Sequence, residues 1–95
     1  MKKGLKFNIQ FDIIREGKAF IAYSPALDLS THAKSLKKVK KRFEEATELY
    51  FESLVANNNL EETLHNLGWG ISRGSYVPPM IVSHEMSSFA IPSSV

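Results

Sequence analysis

Apolar and polar residues alternate from near the start of the chain. Leu5, Phe7, Ile9, Phe11 and Ile13 are apolar, and Lys6, Asn8, Gln10 and Asp12 between them are polar. A period of two places each set on its own side of a pleated backbone, so this stretch reads as a half-buried strand over 5–13. Arg15-Glu16-Gly17-Lys18 reads as a turn, with Gly17 supplying a positive φ. Ala19 to Ser24 returns as a second, antiparallel strand. Pro25 ends it, because proline has no N–H for the ladder. Ala26 to His32, with Leu27 and Leu29 on one side, reads as a third strand.

The period then changes. Ser35 can cap a helix. Leu36, Val39, Phe43, Ala46, Tyr50 and Leu54 follow at spacings of three and four. They predict an amphipathic helix of about five turns, ending near Ala56 at Asn57-Asn58-Asn59. Asn59-Leu60-Glu61-Glu62 has the form of a capping box, and Leu60, Leu64 and Leu67 give a second, short helix with Gly68 just past its end. Gly68 to Gly74 reads as a loop holding Trp69, and Tyr76-Val77-Pro78-Pro79 as extended chain. Met80, Val82, His84 and Met86 alternate with Ile81, Ser83 and Glu85, which predicts a last strand covered on both sides. Phe89 and Ile91 shift that phase, so a bulge or bend is expected near Ser87-Ser88. The order is β-β-β-α-α-β. The expected class is α+β: a small antiparallel sheet of three to four strands with one long and one short helix, in a single domain over 1–95.

Composition narrows the function classes. With 43% hydrophobic and 11% aromatic residues in 95 positions, the chain is too apolar to stay disordered. The longest apolar run, Ala19 to Tyr23, falls far short of the roughly 20 residues that cross a bilayer, so no membrane is expected as a partner. Charge returns at Lys6 and Asp12, so the basic start does not open a signal peptide. The expected compartment is the cytoplasm. Cysteine is absent, which removes disulfides, thiolate metal sites and thiol nucleophiles. Asp12, Asp28, Glu48 and Glu52 read as solvated carboxylates. His32, His65 and His84 share no metal-ligand spacing, and no glycine-rich loop opens a helix. No catalytic, cofactor-binding or metal residue is expected, and the chain reads as a non-enzyme.

The net charge of +2 conceals a strong asymmetry. Lys34, Lys37, Lys38, Lys40, Lys41 and Arg42 lie in a stretch without acids. Glu44, Glu45, Glu48, Glu52, Glu61 and Glu62 follow in a stretch without bases. Both poles oppose the dipole of the long helix, and the neighbours Lys37–Lys41, Glu44–Glu48 and Glu48–Glu52 repel at i,i+4. A solvated face accounts for such runs; a partner that matches the poles gives them a use. Lys37, Lys38, Lys41, Glu44, Glu45, Glu48 and Glu52 are therefore the candidate surface for a partner or for self-association. Two antiparallel copies of the helix would set each basic half beside an acidic half. A homodimer or higher homo-oligomer is expected, since a domain this small has a limited core of its own. The cations spread around the helix axis, and the glutamates begin one turn later. Nucleic acid should therefore bind weakly and without sequence preference, on the order of 10⁻⁴ to 10⁻⁶ M at physiological salt.

Ala22-Tyr23-Ser24-Pro25-Ala26-Leu27-Asp28-Leu29-Ser30, then Ser35-Leu36, then Phe43 through Glu52 resemble the HicB-type antitoxins. Leu67-Gly68-Trp69 and Tyr76-Val77-Pro78-Pro79 fit the short members of that family, so the likeness covers nearly the whole chain. It implies a partial RNase-H-like fold and an antitoxin that neutralises a small ribonuclease toxin, HicA, by covering its catalytic and RNA-binding surface. Longer members add a C-terminal DNA-binding domain, for which this chain has no room. The acidic catalytic set of the RNase H enzymes has no counterpart at matching positions, so no nuclease activity is implied. One departure stands out: Ser35-Leu36-Lys37-Lys38-Val39 is basic where the family is often acidic. Two further readings follow from it, a nucleic-acid-binding module using the basic helix start and an orphan, self-assembling HicB-like domain.

Overall fold

The computed structural model describes residues 8–93. Strands β1 (Asp12–Glu16), β2 (Ala19–Ser24) and β3 (Leu29–Ala33) form an antiparallel sheet in the order β1-β2-β3. The long helix α1 (Leu36–Ala56) and the short helix α2 (Leu60–Asn66) follow. Strands β4 (Gly70–Ser72) and β5 (Ser75–Val77) then close a separate two-stranded hairpin. The fold is α+β, with the expected sheet, long helix and short helix.

The first hairpin shows how the backbone sets register. Gly17, at φ +62°, begins the two-residue connection that puts Glu16 opposite Ala19 and Asp12 opposite Tyr23. Arg15 and Glu16 are therefore strand residues rather than turn. Continuing this register would set Phe11 opposite Ser24 and Gln10 opposite Pro25. Pro25 ends β2 and has no N–H for the next ladder bond, so β1 starts at Asp12 and residues 8–11 carry no ladder. Leu5 and Phe7, the start of the expected first strand, lie outside the described residues. The alternation still decides what is covered. Phe11 stacks on Phe43 with ring centroids 4.3 Å apart, and Ile13 packs into the same cluster.

The third strand begins later than the sequence suggests. Ala26 and Leu27 are buried, but in the loop between β2 and β3, which turns at Asp28 with φ +50°. Their apolar character comes from plugging the core rather than from strand alternation. Helix α1 starts as expected. Ser35 sits in extended backbone, and its Oγ accepts the Lys38 N–H at 3.1 Å. Such a cap stabilises by about 1 kcal/mol. At α2 the capping box does not form. Asn59 has φ −108° and ψ 4°, outside the extended geometry that aims a capping side chain, and it makes no side-chain cap bond.

Two apolar clusters hold these elements together. Ala22, Ala33, Val39 and Phe43 join the sheet to the first half of α1, with Phe11, Ile13, Phe20 and Leu29 around them. Ala26, Leu27, Leu64 and Trp69 join the β2–β3 loop to α2 and the β4–β5 hairpin, with Tyr50 and Phe51 packed against them from the second half of α1. Gly68, at φ +89°, turns the chain after α2 so that Trp69 folds inward. The Trp69 indole Nε1–H donates to the Ala26 carbonyl at 2.8 Å, a buried bond across 43 positions of sequence. Leaving that carbonyl unpaired would cost about 1–3 kcal/mol. The expected loop over 68–74 is thus a hairpin, and its tip, Arg73-Gly74, takes positive φ at both residues, as a type I′ turn requires.

The expected last strand is absent. Residues 78–93 form no regular element, and Met80, Val82, Met86, Phe89 and Ile91 are exposed rather than covered on two sides. No described strand pairs with the segment, so alternation alone has nothing to fold it against.

Candidate interaction surface on the long helix

At 100° per residue, the seven candidate residues of α1 fall in one sector about 120° wide. Its midline lies opposite the side that carries Val39 and Phe43. All seven, Lys37, Lys38, Lys41, Glu44, Glu45, Glu48 and Glu52, are exposed. The sequence therefore placed them on one face, with cations at its start and glutamates over the rest. None forms an ion pair with a described residue; the one pair seen is His84 Nε2 to Asp12 Oδ1, at 3.6 Å. The first turn of α1 holds no acid and its last turn no base. Neither the macrodipole nor internal pairing stabilises this charge pattern.

Arg42 behaves differently from the other cations. It lies at the margin of the sector, and its Nη1 donates to the His32 carbonyl at 2.8 Å. It thereby covers part of the outer edge of β3. Sequence reasoning counted Arg42 with the basic pole and did not see this bond, because the approach of α1 to β3 is a tertiary fact. Sequence reasoning also missed Val55, 59% exposed and inside the charged sector, and Leu49, 65% exposed at its margin. Both stand out of phase with the apolar stripe, which was the available signal.

Asp28 organises a smaller polar spot. Tyr23 donates its hydroxyl to Asp28 Oδ1 at 3.0 Å. That hydrogen bond, with some desolvation and the carboxylate charge, pushes the Tyr23 phenol above its ordinary value. Burial, and then the Asp28 charge, raises Tyr50 in the same direction. Both shifts keep a tyrosine neutral and neither prepares a nucleophile.

Two clefts stand out among the described residues. One of about 70 Å³ lies where Pro79, Met80 and Ile81 approach Gln10, Pro25 and Ala26. The other, about 700 Å³, is a shallow hollow between α2 and the β4–β5 hairpin, with Glu61, Glu62, His65 and Ile71 on its rim. No group of three or more His, Cys, Asp or Glu residues able to hold a metal occurs among the described residues. No helix among them is long and apolar enough to cross a membrane. His65 is exposed on α2. Compared with known proteins, the chain matches no family model, no curated protein and no solved structure.

Proposed function

We propose that this chain is an antitoxin-like binding protein of the HicB type, which neutralises a small HicA-type ribonuclease by masking its active surface. The observation that carries the reading is the acidic part of α1. Glu44, Glu45, Glu48 and Glu52 stand exposed on one face, opposite the core, without cationic partners among the described residues. A protein that cleaves RNA must offer cations to phosphates, and a row of carboxylates complements that surface. The chain supplies no chemistry in this role; it works in the cytoplasm as a homo-oligomer that occludes. The test is an RNA-cleavage assay with a small HicA-type ribonuclease from the same genome. Wild-type protein should abolish cleavage. The triple variant Glu44→Lys, Glu48→Lys, Glu52→Lys should lose inhibition at high salt and low salt alike while keeping its helical circular dichroism. Full inhibition by the triple variant, or none by the wild type, refutes the reading.

A second reading has one observation in its favour: Lys37, Lys38 and Lys41 are exposed, and their ammonium groups form no ion pair with a described residue. The basic helix start would then contact nucleic acid, weakly and without sequence preference. Fluorescence titrations with several unrelated oligonucleotides should give one shallow affinity that collapses as salt rises. Tight, selective binding at physiological salt would put this reading first.

A further inference from the structure

We propose that residues 80–91 form an exchanged strand: the arm of one copy docks along the β1 edge of a second copy, and the second copy returns its own arm. The proposal rests on the self-association included in the reading above and not on the identity of any toxin.

The arm has the makings of a strand and lacks its neighbour. Between Pro79 and Pro92 no proline interrupts the backbone, and Met80, Val82, Met86, Phe89 and Ile91 carry its apolar side chains. These five are 69%, 91%, 99%, 89% and 93% exposed. Among the described residues, the one backbone donor of the arm that is bonded is the Ile81 N–H, which reaches the Gln10 side-chain oxygen. An extended, apolar, unpaired segment is a standing template for pairing with another chain.

The complementary half is on the same molecule. The three-stranded sheet has two edges. The β3 edge is partly closed, because Arg42 occupies the His32 carbonyl. The β1 edge has no described strand beside it. The arm starts in the right place for it. Ile81 lies next to Gln10, and His84 lies 3.6 Å from Asp12, so arm and chain run the same way at their closest approach. Pro78-Pro79 is a stiff extended elbow, and past His84 the arm leaves its own body instead of following β1. Among the described residues, an open edge and an open strand thus coexist without satisfying each other.

A second copy satisfies both at once. Under a two-fold axis each arm covers the other copy's β1, and neither a β1 edge nor an arm is left without a neighbour. An unrelated partner would take the arm and leave β1 bare, or the reverse. This arrangement leaves the charged face of α1 free for a different partner.

Light scattering on the wild-type chain at micromolar concentration should give twice the chain mass. Phe89→Asp with Ile91→Asp changes side chains that the body does not hold, and should halve that mass with unchanged circular dichroism. Lys37→Glu with Lys38→Glu should leave it doubled. The reverse outcome, dissociation by the helix pair and none by the arm pair, overturns the arm but keeps self-association; a monomeric wild type overturns both. Direction of docking is read by disulfide trapping, which the chain's lack of cysteine makes clean. The spacing of His84 from Asp12 puts Ser88 near Glu16. Oxidised Glu16→Cys, Ser88→Cys protein should run as a covalent dimer. A product of single-chain mass, bridged or not, contradicts exchange.

Discussion

β2 and the arm over 80–91 carry the same kind of sequence and end in different states. Each is rich in apolar side chains, and each is free of internal proline. β2 has β1 on one side, β3 on the other and α1 above it, and Ala22 and Ser24 within it are wholly buried. The arm has none of these, and its large apolar side chains other than the half-buried Ile81 face solvent. A strand is a relation between segments rather than a property of one. The comparison divides the chain into a body that completes itself and an arm that does not. What the body leaves uncovered, the α1 face and the β1 edge, is where partners have room.

The comparison is broken most severely from the body's side. Trp69→Ala removes the indole that joins the β2–β3 loop to the hairpin and leaves the Ala26 carbonyl bare. We expect a loss of about 3–5 kcal/mol in urea unfolding. Phe89→Ala, an aromatic deletion of similar size in the arm, should shift unfolding of dilute protein by no more than about 0.5 kcal/mol. Equal effects would mean that the arm belongs to the body. Leu64→Ala, in the second cluster, should cost about 2–5 kcal/mol by the same measurement. Ser35→Ala removes the α1 cap and should cost about 1 kcal/mol, seen as a lower thermal midpoint.

The charged face sharpens the comparison in the opposite direction. Lys37→Glu and Lys38→Glu place acids in the first turn, where the helix dipole favours them. Each should raise stability by about 0.3–1 kcal/mol at low salt. A gain would show that the lysines are not there for folding; a loss on thermal melting would assign them a structural role. The smallest effect concerns Asp28. Tyr23 and Tyr50 both ionise above the ordinary tyrosine value of 10.0. The unfolded chain therefore releases these protons first, so their contribution to stability is complete below that pH and is lost as pH rises through the folded values. Ultraviolet titration at alkaline pH should show both late phenols, and Asp28→Asn should bring both down, Tyr23 more than Tyr50.

The sequence made β2, α1 and its Ser35 cap legible because each depends on local signals: a Pro25 stop, a 3.6-residue stripe and a serine before it. The α1 face was equally legible, since helical spacing alone gathers its seven charges. The β1 start was not, because the register fixed at Gly17 brings Gln10 opposite Pro25, and alternation in one segment does not show where its neighbour ends. Ala26 and Leu27 misled for a related reason: burial in a plugged loop and burial in a strand leave the same apolar residues. The β4–β5 hairpin was hidden by its length, three residues on each side. The Arg42–His32 bond joins groups whose meeting only the packing of α1 on β3 decides.

Hydrogen exchange at two protein concentrations tests the division between body and arm most directly. Amides of β2 and of the core-facing turns of α1 should be protected at both concentrations. Amides over 80–91 should be protected in concentrated solution and exchange freely on dilution, with β1 losing protection alongside them. Protection of the arm that does not change with concentration would place it on its own body. An arm that exchanges freely even in concentrated solution would leave it with no partner copy at all.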